Sequence, residues 1–179
     1  MELLTQESVK MRLSSVLITL LASAPAFAQS PPSGPAMIGE MFCIGLVGGD
    51  MEAVRSAMTT GLNAAIDAAL ERNDALQTAQ PDEKPPLGDG VPWSGASDYS
   101  PQCTPAVASQ SADTAEVTVR HTFPDEPVGD YEDTLFLVTV EGRYGETLWR
   151  IDDIAYDTGG DIGYEPGFTL RKTLVSTFE

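Results

Sequence analysis

The chain has 179 residues, 42% of them hydrophobic, and 27 acids against 10 bases give it a formal net charge of −17. So acidic a chain repels nucleic acid and anionic lipid headgroups and is not expected to bind either. The charge reads first as a device for solubility outside the cytoplasm, with attraction to cations or to a basic partner as the alternative.

Lys10 and Arg12 precede the apolar run VLITLLA and then Ala26-Phe27-Ala28, the pattern of a signal peptide cleaved before Gln29. Glu2 and Glu7 are out of place in a basic leader, which points to Met11 as the start. The run is about half of the roughly 20 apolar residues a spanning helix needs, so the expectation is export to the periplasm, without membrane insertion after cleavage. Residues 1–28 are thus read as signal, 29–35 (QSPPSGP) as a flexible leader and 36–179 as one α+β domain. The mature chain, roughly 150 residues, is long enough to bury a proper core.

In MIGEMFCIGLV, Met37, Ile38, Met41, Phe42 and Leu46 recur at helical spacing until Gly48-Gly49. Asp50 is placed to cap the next helix, and Val54, Met58, Leu62, Ile66 and Leu70 predict a short helix, a turn at Thr59 to Gly61, and a second helix from about Gly61 to Leu76. The stretch PDEKPPLGDGVPWSGASDYSPQC has no period and reads as a long loop, anchored by Trp93, Tyr99 and Cys103. In AEVTVRHTF, Val117, Val119, His121 and Phe123 share one face. DTLFLVTVEG is apolar on both faces, as for a central strand covered on both sides, and Gly142 to Gly145 predict a hairpin into ETLWRIDDIAYD. Trp149 and Ile151 lie on one parity there, Ile154 and Tyr156 on the other, so a bulge is expected at Asp152-Asp153. Leu170, Leu174 and Phe178 behind Thr169 predict a short terminal helix. The fold class is α+β: N-terminal helices on a curved antiparallel sheet.

Two cysteines, Cys43 and Cys103, are expected to pair in an exported protein. They are too few to hold zinc with the single histidine, His121, and neither has a basic neighbour to make it a nucleophile. No G-x-S-x-G elbow, Walker loop, dinucleotide fingerprint or H-E-x-x-H occurs. No cofactor or metal is implied.

FCIGLVGGDMEAV, KPPLGDGVPW, LWRIDDIAYD and TLRKTL together resemble a group of small exported bacterial proteins of unknown function with a nuclear transport factor 2-like, or cystatin-like, fold. That resemblance implies a cone-shaped sheet with a pocket between its concave face and the helices. Wider relatives include isomerase-like and cyclase-like enzymes that use an acid or a histidine in that pocket, but it carries no catalytic residues over to this chain.

The functional expectation is a non-enzymatic module that binds a small apolar ligand or a protein, through the concave face or the loop of Trp93 and Tyr99. The alternative is a pocket enzyme in which His121, on the inner face, acts as a base beside Asp152 or Asp153. Each residue also has a plainer reading. His121 could sit half-solvated at a strand end with a structural hydrogen bond. Asp152 and Asp153 could satisfy amides at the bulge or pair with Arg150 or Arg143. Asp157, Asp161 and Glu165 invite a calcium reading that their spacing does not fit. The acids Asp125, Glu126, Asp130, Glu132 and Asp133 read as a solvated turn between strands.

Overall fold

The computed structural model describes residues 34–88, 90–96, 100–156 and 167–179. The predicted signal and the loop Asp157 to Glu165 lie outside these residues, as does Tyr99. Helices α1 (Pro35–Gly48), α2 (Met51–Val54) and α3 (Thr60–Ala79) precede strands β1 (Gln102–Gln110), β2 (Thr114–Thr122), β3 (Tyr131–Glu141) and β4 (Thr147–Ala155). Helix α4 (Leu170–Ser176) closes the chain. The strands form one open antiparallel sheet in the order β1-β2-β3-β4, so the class is α+β as expected.

Local chemistry sets the boundaries. Gly49 ends α1 in the left-handed conformation at φ 69°, where a side chain would be strained. Asp50 then accepts the Ala53 N–H at 3.2 Å and caps α2. A 3₁₀ turn, Arg55–Ala57, comes next, and Thr59 caps α3 by accepting the Leu62 N–H at 3.1 Å. The predicted break therefore lies at Met58-Thr59, where Met58 turns extended and bridges to Ile151 of β4. A hydrogen bond from Arg55 to Asp67 ties this segment to α3 and raises the pKa of the guanidinium.

Helix α1 lies across the inner face of the sheet. Gly34, just before its first residue, approaches the Trp149 ring of β4, and a Cβ on Gly39 would meet Pro105 at 2.7 Å and Val117 at 2.9 Å. Only glycine lets the helix backbone come so close to β1 and β2. The contact carries Cys43 to Cys103, where the disulfide forms with Cα atoms 5.3 Å apart. Phe42, Leu46, Leu62, Ile66, Val117, Val119, Leu135, Leu137, Ile151, Ile154 and Leu170 fill the space between helices and sheet and are fully buried.

Two features differ from the sequence expectation. Strand β1 falls in a stretch without strand signals: QCTPAVASQ carries a proline and few apolar residues, and as an edge strand it is mostly exposed. Strand β3 is not buried on both faces. Leu135 and Leu137 point into the core, while Phe136, Val138 and Val140 are only half-buried on the outer face. The predicted bulge is present, with Phe136 opposite Asp153 and Leu137 opposite Ile151, so that Asp152 is the inserted residue. Ile151 and Ile154 both reach the core in consequence, despite their odd spacing.

Because the disulfide spans a sequence separation of 60 residues, its removal is expected to cost about 4 kcal/mol through freed chain entropy in the unfolded state. Urea unfolding of Cys43→Ser/Cys103→Ser measures it. A loss under about 1 kcal/mol would show that the bridge does not constrain the fold in this way.

Candidate functional site

Strand pairing brings a polar cluster together in the core. His121 of β2 lies opposite Cys103 of β1 and Tyr131 of β3, and Val119 lies opposite Asp133. With a period of two, His121, Tyr131 and Asp133 all face inward, Asp133 diagonally across from His121. His121 and Asp133 are each 0% exposed, and the Nε2 of His121 is 3.1 Å from Oδ2 of Asp133. The approach is oblique, without hydrogen-bond alignment at Nε2, so it is a close polar contact rather than a directed bond. The Tyr131 ring stacks on the imidazole at 4.2 Å and 14°.

The remaining partners come from the long loop. Ser100, 1% exposed, donates its hydroxyl to the Gln102 carbonyl at 2.8 Å and lies 3.3 Å from His121 Nδ1. One hydroxyl hydrogen cannot serve both, so with the hydroxyl directed at Gln102, Nδ1–H is the group that donates to Ser100 Oγ, and with the other tautomer the hydroxyl turns to Nδ1. The Gly95 N–H donates to both oxygens of Asp133, at 3.2 and 3.1 Å, and Tyr131 donates its hydroxyl to Ser94 Oγ at 3.2 Å.

Ser100, His121 and Asp133 are thus in contact in the order of a hydrolytic triad, but the chemistry of a triad is missing. A nucleophile must be open to a substrate carbonyl and a base must take its proton. Here the hydroxyl lies 2.8 Å from the Gln102 carbonyl, Ser100 is itself 1% exposed, and neither His121 nor Asp133 presents surface to a molecule as small as water. Burial likewise replaces the half-solvated strand-end position expected for His121.

The aspartates expected as partners for His121 lie elsewhere. β3 separates their strand from β2. Asp152 accepts from Arg171 at 2.7 Å and from the Thr59 hydroxyl at 2.9 Å, and Asp153 accepts the N–H groups of Ile154 at 2.9 Å and Arg171 at 3.0 Å. They bind the bulge to the starts of α3 and α4. The cation paired with Asp152 is Arg171 rather than Arg150 or Arg143, and Asp153 satisfies backbone amides, one of them at the bulge. Of the acids read as a solvated turn, Asp130 accepts the Phe123 N–H at 2.9 Å and Glu132 is exposed, while Asp133 is the buried partner of His121. The sequence does hold a signal for Asp133: it shares the parity of Leu135 and Leu137.

Trp93 is 9% exposed and belongs to the core with Leu87 and Val91 of the same loop. It is not a free binding surface. The open surface lies on the other side of the disulfide. An open groove of about 610 Å³ runs between α1 and β1, lined by Glu40, Ile44 and Val47 of the helix and Gln102, Cys103 and Thr104 of the strand, among others. Ile44 is 72% exposed, Val47 48% and Met37 40%, one stripe along a helix whose only charge is Glu40. Among the described residues no group of His, Cys, Asp and Glu could hold a metal ion, and no helix is long and apolar enough to cross a membrane.

Comparison with known proteins finds no family model, curated protein or solved structure that matches the chain.

Asp133→Ala is expected to cost about 3–5 kcal/mol, because it leaves a buried imidazole and the Gly95 amide unpaired. The double variant His121→Leu/Asp133→Leu should cost much less than the sum of the single changes. Chemical denaturation of the three variants checks this, and additive losses would remove the pair.

Proposed function

We propose that this is an exported α+β protein of the nuclear transport factor 2-like kind, directed across the inner membrane by residues 1–28, that acts as a non-enzymatic binding module in the periplasm. Export is supported by the signal-like N-terminus and by a disulfide, a bond that persists in oxidising compartments. The fold reading is supported by the order of helices and strands and by the motifs that carry the resemblance.

One observation carries the binding reading: the protein leaves Met37, Ile44 and Val47 in water beside a groove while its inner face is packed. A helix apolar on every side is ordinarily buried, and a contiguous apolar stripe at the surface marks a place that something covers. The binding surface proposed is therefore the α1 and β1 groove rather than the concave face or the Trp93 loop. A pocket enzyme based on His121 would need room for a substrate beside the ring, and burial of the ring does not support one.

Native mass spectrometry of the protein isolated from its own host tests the reading. A retained ligand or partner is expected, and Ile44→Gln/Val47→Gln, at exposed positions that leave the core intact, should release it. A species unaffected by these changes, or none at all, contradicts the proposal.

A further inference from the structure

The groove has one wall of apolar helix and one wall of strand edge, and the strand edge narrows what can occupy it. β1 lies at the end of the sheet, and among the described elements it has no neighbour on the side away from β2. Such an edge offers a row of amide hydrogens and carbonyls ready to pair with another chain, and proteins ordinarily guard it with lysine, with proline or by covering it. In QCTPAVASQ no residue is charged, and the guards are Pro105, which removes one donor, and a bulge at Ala108 near the far end, so the stretch from Gln102 to Val107 beside the groove keeps its regular register. Helix α1 is bound to the same strand at Cys103 and turns Ile44 and Val47 toward the groove. A segment laid along β1 would therefore pair its backbone with the strand and place alternate side chains against the helix.

We infer that the occupant is an extended segment of a partner protein, basic and apolar by turns, which adds to the free edge of β1 as a further strand and lays its apolar side chains on Ile44 and Val47. This rests on the binding reading above and specifies its mode and partner. Charge decides between partners. Glu40 lines the groove, β1 carries no charge of its own, and the chain as a whole stands at −17, so a basic segment is drawn in. A second copy of this chain could pair edge to edge, but it would bring the same excess of acid and meet repulsion.

The test uses the purified disulfide-bonded protein and three synthetic peptides of about ten residues, the span of a long strand. One repeats Lys-Val, one has the same composition rearranged to helical spacing, and one repeats Glu-Val. The alternating basic peptide should bind at least about tenfold more tightly than either control, and more weakly as salt is raised. Its binding should slow hydrogen exchange of amides between Cys103 and Val107 and should fall about tenfold in Ile44→Gln/Val47→Gln.

Equal binding of the rearranged peptide with unchanged β1 exchange would overturn strand addition while leaving a binding groove in place. A concentration-dependent dimer broken by Ile44→Gln would make the occupant a second copy and overturn the basic partner. No binding by any peptide up to about 1 mM would overturn the inference as well. The binding reading fails separately, on whether the complex retained in the host depends on Ile44 and Val47.

Discussion

The fold depends on holding a long irregular segment, between Ala79 and Gln102, against one end of a small sheet. Ordering backbone costs about 1–2 kcal/mol per residue, and a loop without regular structure has no ladder of its own to offset it. Apolar burial supplies part of the compensation, since Leu87, Val91 and Trp93 each contribute on the order of 1.5–3 kcal/mol by leaving water. It does not fix where the backbone lies. That is done by polar side chains of α3, β2, β3 and the residue after β4: Asn73 of α3 accepts the Leu87 N–H at 2.9 Å, and the Tyr156 hydroxyl donates to Pro92 O at 2.5 Å. Asp133 and Tyr131 of β3 hold Gly95 and Ser94, and His121 of β2 holds Ser100. The disulfide then joins the end of the loop to α1.

The buried His121 and Asp133 pair is therefore placed as a structural contact. His121 and Asp133 are the residue types from which an active site is made, but both are 0% exposed, and their described polar contacts run to the loop and to neighbouring strands. A buried pair gains little over an apolar one of the same shape, whereas its geometry selects a single arrangement of the chain around it. The role it plays here is to choose the path of the loop. The proposed function rests on the surface instead, on the apolar helix stripe beside a strand edge that has no neighbour among the described elements.

Much of this is legible in the sequence, and the failures have physical causes. Helical spacing and caps locate α1, α3 and α4, and the change of phase between Ile151 and Ile154 locates the bulge. Strand β1 is illegible because an exposed edge strand needs neither alternation nor apolar bulk, and Pro105 argues against it locally. Asp133 is easily misread because it comes after a run of acids of which Asp125, Glu126 and Glu132 do face solvent. Period two, extended back from Leu137 and Leu135, puts it inside, and the pairing rather than the composition decides. The expected partnership of His121 with Asp152 or Asp153 fails because a bulge says that a side chain is re-aimed without saying toward what. What they meet is Arg171, 19 and 18 positions further along the chain and unremarkable in sequence.

The central claim is that the single histidine is sealed in the core as part of the loop anchor, and its reactivity tests that directly. Diethyl pyrocarbonate modifies accessible imidazole, and with one histidine in the chain the signal has one source. If His121 is reached only when the structure opens, its modification in the native protein should be at least about a thousandfold slower than that of free imidazole, an opening cost above ~4 kcal/mol, and should become fast in denaturant. Modification of the native protein at a rate near that of free imidazole would contradict the account, because it would place the ring in an open pocket.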